Sequence, residues 1–244
     1  MVRQQIVPSF ASCFIGWDVG GWNCDKNGKS RDAIVILNSS LSIVGKPWRG
    51  NLRAHINKAN TTSEWIQMLF TLCGSTIGKE AHCVMGIDTA LGFSDEFVRL
   101  VTDRVGAGEI ETSATNPYLF RRTEHFLFEQ GLTPLSAIKD MIGSQATKGM
   151  HTLAKFAPHI QSCGIWSDGH QLTAIEAYPS ACKKSSIIKK LGEGFQPLDH
   201  EDKQDALTCA LVAYLFAEKR KQLIDPDSSV SVNEGWIWVP KDGI

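Results

Sequence analysis

No stretch of the 244-residue chain approaches the ~18 consecutive apolar residues of a membrane span. An excess of charge of either sign is missing too. Twenty-five Lys and Arg against 26 Asp and Glu leave a formal charge of −1. That balance rules out a generally basic nucleic-acid coat and an acidic disordered tail, while leaving room for a local basic groove. There is no CxxC and no short Cys/His cluster among the seven cysteines, which argues against a zinc site. Their apolar settings, such as Cys209 in LTCALVAYLF, read as reduced buried thiols of a cytosolic protein. No GxSxG is present and no cysteine stands out as activated, so serine or cysteine hydrolase chemistry has little support. Internal repeats, low-complexity tracts and a linker are also lacking. At 26.9 kDa the chain reads as one α/β domain, 1–244, with a helical insertion at approximately 94–170.

Short apolar runs are what the chain does have. CFIGWD (13–18) is preceded by a mildly apolar stretch that superficially resembles a signal peptide, weakened by Pro8, Ser9 and Ser12. That stretch is read as an extended lead-in to a first strand, and the protein as cytoplasmic. AIVILN (33–38) follows a glycine-containing turn, and LSIV (41–44) follows Ser39-Ser40, so three strands in a meander are expected. Residues 61–73 have helical spacing, with Thr62 or Ser63 as cap. HCVMGID (82–88) then reads as a strand parallel to an earlier one, because a helix-containing connection precedes it. Helices are expected over 95–104, 119–130, 148–160 and 201–221, with a glycine-rich loop over 105–118. LTAIEAY (172–178) reads as a further strand, and 236–239 as a short terminal one.

Carboxylates recur at the ends of these runs. Asp18, Asp88 and Glu176 each sit at or near a strand end, and Asp202 and Asp205 open the last helix, three apart and so on one face. Each has an ordinary alternative: a turn or cap for the aspartates, the positive helix terminus for Asp202 and Asp205, and an ion pair with Lys183 or Lys184 for Glu176. Taken together in this order they point elsewhere. Unpaired carboxylates gathered at one sheet edge repel one another, and a hard divalent cation, Mg2+ or Mn2+, relieves that repulsion. Such ions activate water and stabilise a leaving oxygen in phosphodiester hydrolysis.

The same order resembles the ribonuclease H-like superfamily. More narrowly it is similar to the bacterial family of predicted nucleases called domain of unknown function 429. The pieces that carry the resemblance are GWDVGG (16–21), GIDTALGF (86–93), RRTE (121–124), EAYPS (176–180), DKQDALTCALVAYLF (202–216) and GWIWVP (235–240). The resemblance implies a ribonuclease H-like mixed sheet, a three-strand meander plus parallel strands, flanked by helices. It implies a metal-dependent nuclease acting on nucleic acid, with Asp18, Asp88 and Asp205 as metal ligands and Glu176 and Asp202 completing or orienting the site. No helix-borne glutamate other than Glu64 lies between the third and fourth strands.

Basic residues supply candidates for substrate contact. Arg121 or Arg122, with Glu124 heading the same helix, could clamp a phosphate, or form a solvated face. Lys183, Lys184, Lys189 and Lys190 could track a backbone or be plain surface charge. Lys148 and His151 would share a helix face. A phosphate loop ending in Gly28-Lys29-Ser30 fails, because its first glycine would fall on Asn23 and a strand follows it. The DVGG turn also resembles that of actin-like ATPases, but no second such turn is evident. A non-catalytic binding module on a degenerate nuclease fold is the remaining alternative, with the full set of carboxylates against it.

Overall fold

The computed structural model describes residues 13–78 and 81–244. The lead-in expected before the first strand lies outside the described residues. The sheet has eight strands: β1 (Cys13–Asp18), β2 (Asp32–Asn38), β3 (Trp48–Gly50), β4 (Cys83–Asp88), β5 (His159–Ser162), β6 (Ile165–Ser167), β7 (Leu172–Ala177) and β8 (Ile237–Trp238). Their order is β3-β2-β1-β4-β7-β6-β5, with β8 beside β7. β1, β2 and β3 pair antiparallel, β1–β4–β7 run parallel at the centre, and β6 and β5 return antiparallel. Among the described residues eight α-helices accompany it: α1 (Arg53–Lys58), α2 (Thr62–Leu72), α3 (Asp95–Asp103), α4 (Arg122–Glu129), α5 (Gly143–Phe156), α6 (Pro179–Cys182), α7 (Ser186–Gly192) and α8 (Glu201–Glu218). Among the described residues no helix is long and apolar enough to cross a membrane.

Strand alternation divides the core into two layers. Phe14, Val35, Val84 and Ile175 point to one face, which α8 covers with Ala206, Leu207, Ala210 and Leu211. Ile15, Trp17, Ile34, Met85 and Ile87 point to the other, against Trp65 and Leu69 of α2 and Leu153 and Phe156 of α5. Buried on both sides, the central strands carry apolar residues almost throughout, as expected for a covered parallel sheet. Helix α8 is apolar nearly all round for the same reason.

Several elements differ from expectation, each for a local cause. The third meander strand is β3, not 41–44. Leu41 takes a left-handed turn (φ 57°), and the following residues make only the bridge Leu37↔Ile43 before the chain moves on. The α2 cap is Thr61, whose side chain accepts from the Glu64 N–H. The expected helix over 148–160 is α5, shifted towards the N-terminus. Pro158 disfavours helical geometry at Ala157, so α5 ends at Phe156 and β5 begins. The segment 94–170 therefore holds α3, α4 and α5, but its last part is a β5–β6 hairpin that extends the sheet.

Candidate functional site

Asp18 and Asp88 end neighbouring parallel strands and are register partners. Alternation from Phe14 and Val84 carries both onto the face that α8 covers. Two steps before them, Gly16 and Gly86 are also register partners, and there the α8 backbone rests on the sheet. A Cβ on Gly16 would lie 1.7 Å from the Ala206 carbonyl oxygen, and one on Gly86 would lie 2.4 Å from that of Cys209. This close approach sets Asp205, the residue before Ala206, beside the strand ends.

Neither Asp18, Asp88 nor Asp205 has a hydrogen-bond or ion-pair partner among the described residues. Burial, then the charges of Asp88, Asp202 and Asp205, pushes the Asp18 carboxyl up to about 9. Burial, then Asp205 and Glu176, pushes Asp88 up to about 8. Burial also raises Asp205, opposed by nearby Lys183, an exposed side chain. The three expected ligands are thus brought within mutual electrostatic reach. Even so, among the described residues no group of three or more His, Cys, Asp or Glu is arranged to hold a metal ion.

Glu176 is placed differently. Its register partner is Ile87, not Asp88, so it leaves the sheet on the opposite face. There Arg121 Nη1 and Nη2 donate to its two oxygens at 2.8 and 2.6 Å, and the Leu91 N–H donates at 2.9 Å. Arg121 also donates to Glu124 Oε1 through Nε (2.8 Å) and Nη2 (2.6 Å), and to the Glu234 carbonyl oxygen. Arg121, Glu124 and Glu176 are 2, 1 and 2% exposed. Arg121 and Glu124, expected at a substrate surface, are therefore the centre of a buried ion-pair network. The residue before α4 turns inward to meet two carboxylates that burial alone would make costly. Arg122 is exposed, with its backbone N–H on Glu234 Oε2. Lys184 is exposed as well.

Asp202 is committed in a similar way. Arg49 Nε donates to its Oδ2 at 2.7 Å, as does the Arg31 N–H at 2.9 Å, and His200 lies beside Oδ1. Glu64 accepts from the Asn60 N–H at the start of α2 and takes no part in the site. Sequence reasoning missed the pair Asp32–Lys148, both fully buried. Asp32 accepts from Trp17 Nε1, from the N–H groups of Gly20 and Leu52, and from Lys148 Nζ. Lys148 also donates to the Gly20 carbonyl oxygen (3.1 Å) and to Asn51 Oδ1 (3.3 Å). The pair ties the turn after Asp18 to α5. The available signal was Asp32 itself, a carboxylate at the start of AIVIL. His151 is exposed and packs edge-on against Trp22.

Above Asp18 and Asp88 opens a cleft of about 390 Å³. Thr89 and Glu176 share its floor. Pro134, Leu135, Ile142, Gln145, Tyr178 and Ser180 also line it. No family model, no curated protein and no solved structure matches this chain.

Proposed function

We propose that this protein is a ribonuclease H-like nuclease that hydrolyses phosphodiester bonds in nucleic acid with Mg2+ or Mn2+ held at Asp18 and Asp88. The observation that carries the reading is the placement of these two carboxylates. They lie in register at adjacent parallel strand ends, lining a cleft, with no ion-pair or hydrogen-bond partner among the described residues. The other buried carboxylates described above, Asp32, Glu124, Glu176 and Asp202, each have a cationic partner, so the exception calls for a ligand. The residues fit a hard cation. Mg2+ is commonly held by one or two carboxylates, with water and phosphate oxygens completing its shell. Such an ion would activate water and offset the charge developing on the leaving oxygen.

The chain's own residues have distinct roles. Asp18 and Asp88 bind the ion. Asp205 adds negative charge beside them. Glu176, held by Arg121, fixes the insertion against the end of β7, and Asp202 anchors Arg49. Lys183, beside Asp205, with exposed Lys184 and Arg122, supplies positive charge for a nucleic-acid backbone. The mixed sheet, a meander followed by parallel strands, supports the superfamily reading. The test is a panel of RNA, DNA, hybrid and branched substrates with Mn2+, run on wild type and Asp18→Asn. Cleavage that is lost in Asp18→Asn is expected. Equal activity, or equal inactivity, of the two proteins on every substrate overturns the reading.

A further inference from the structure

The cleft is small and its walls are fixed. A volume of about 390 Å³ sits near the low end for small-ligand sites. Its outer wall is not a free loop. The Tyr178 hydroxyl donates to the Thr133 carbonyl oxygen at 2.9 Å, which ties the end of β7 to the residue before Pro134. Ser136 is 2% exposed, its hydroxyl donates to the Leu119 carbonyl oxygen, and its N–H donates to Asp140 Oδ2. Leu135, 54% exposed, therefore stands at the rim on an anchored segment.

The lining matches one unstacked nucleotide. Leu135, Pro134, Ile142 and Tyr178 offer an apolar and aromatic surface for a base face. Gln145 carries a side-chain amide with no partner among the described residues, and amides read base edges through paired donors and acceptors. Thr89 adjoins Asp88 in the cleft lining, and its hydroxyl is buried with no hydrogen-bond partner among the described residues. In the cleft lining, a buried hydroxyl of this kind is free to bond a polar ligand atom.

We propose that the cleft admits a single nucleotide unit, so that the substrate is single-stranded nucleic acid or a small nucleotide diester and duplex is excluded. This rests on the phosphodiester reading above. A duplex keeps its bases stacked, and bringing one of its phosphates to Asp18 and Asp88 presses the stacked bases against the Leu135 rim. A single strand can turn one base into the cleft.

Three measurements, each in the presence of Mn2+, test it. The first compares cleavage of a single strand, the blunt duplex of the same sequence, and the p-nitrophenyl ester of thymidine 5′-phosphate. The single strand should exceed the duplex in kcat/KM by at least about ten-fold, and the small ester should be turned over. The second is Gln145→Ala, which should raise KM for the single strand several-fold while leaving kcat and the Mn2+-induced rise in Tm in place. The third is anisotropy binding of single strand against duplex, which needs no turnover. Duplex cleaved or bound as well as single strand, or no binding of either, overturns the proposal. Asp18-dependent cleavage of duplex would sink it while leaving the nuclease reading intact. Loss of both cleavage and the Mn2+ effect would sink that reading first.

Discussion

Replacing Gly16 by Ala tests whether helix α8 sets the geometry of the carboxylates. The added Cβ would lie 1.7 Å from the Ala206 carbonyl oxygen and 2.5 Å from the Ala210 nitrogen. A tolerable C···O contact is about 3.3 Å, so the helix must retreat by roughly 1.5 Å. The obstacle is backbone on both sides, and no rotamer change can absorb it. Overpacking of this kind costs about 1–3 kcal/mol, and lifting α8 also loosens the packing of Ala206 and Ala210 on β1. The expected loss is about 3 kcal/mol, measured by urea unfolding with an unchanged m-value. Asp205 moves with the helix. A displacement near 1 Å costs a well-ordered site roughly a hundred-fold in rate, so Mn2+-dependent cleavage should fall by about that factor. Gly28→Ala is the control, since nothing lies within 4 Å of its Cβ position. It should change stability by no more than about 0.5 kcal/mol. If Gly16→Ala unfolds at the wild-type midpoint and cleaves at the wild-type rate, α8 does not rest on this glycine pair and the account of how Asp205 is placed is wrong.

Further outcomes follow from the charged groups. Asp18 and Asp88 bind protons more tightly folded, at about 9 and 8, than the ~3.9 of an unfolded chain. Their protons are therefore lost on unfolding anywhere between those limits, and metal-free stability should fall as pH rises from 5 to 8. The slope is about 1.4 kcal/mol per pH unit for each such proton, flattening as pH approaches the folded-state values. Asp18→Asn should flatten that slope and raise the metal-free Tm above pH 6, seen by differential scanning calorimetry across a pH series. Mn2+ should bind more tightly with rising pH and release protons, visible as a buffer-dependent enthalpy in titration calorimetry. Lys148→Met leaves Asp32 buried alone and should cost about 3–5 kcal/mol by urea unfolding. Adding Asp32→Leu should recover part of that loss, and no recovery would deny the pair its structural role. Arg121→Leu strands two buried carboxylates and should cost more than about 4 kcal/mol, whereas Arg122→Ala should stay within about 0.5 kcal/mol.

The central strands and α8 were legible because period and length agree with burial: CFIGWD, CVMGID and LTAIEA are apolar apart from Thr173 and a carboxylate at or near each end, and each is a covered parallel strand. The meander's third strand was not, because β3 is only three residues long and carries Trp48 and Arg49 in no alternating pattern. The β5–β6 hairpin was hidden for a similar reason. His159–Ser162 is mostly exposed and short of branched apolar residues, so neither burial nor propensity left a mark. At the site, Asp18 and Asp88 were readable from strand ends. The face of Glu176 was not, since that depends on a register offset of one residue between β4 and β7.

That offset shows why a list of carboxylates at strand ends cannot by itself define a site. Asp32, Glu124, Glu176 and Asp202 are all at least as buried as Asp18, and each owes its tolerance to a cation: Lys148 for Asp32, Arg121 for both glutamates, Arg49 for Asp202. Removing any of these cations exposes a structural debt, and the fold should weaken. Asp18 and Asp88 are under the opposite strain. Among the described residues no cation offsets them, so burial and the neighbouring carboxylates hold them protonated, and replacing one with a neutral side chain removes that cost and should strengthen the metal-free fold. The sign of the stability change on neutralising a carboxylate therefore separates acidic groups that hold the fold from those held for a ligand. Applied to Asp205, which lies beside Lys183 yet makes no bond to it, the same measurement decides its class. Asp205→Asn should raise the metal-free Tm and diminish the Mn2+-induced rise. A fall in the metal-free Tm would instead class Asp205 with Asp202, as an anchor of the α8 N-terminus.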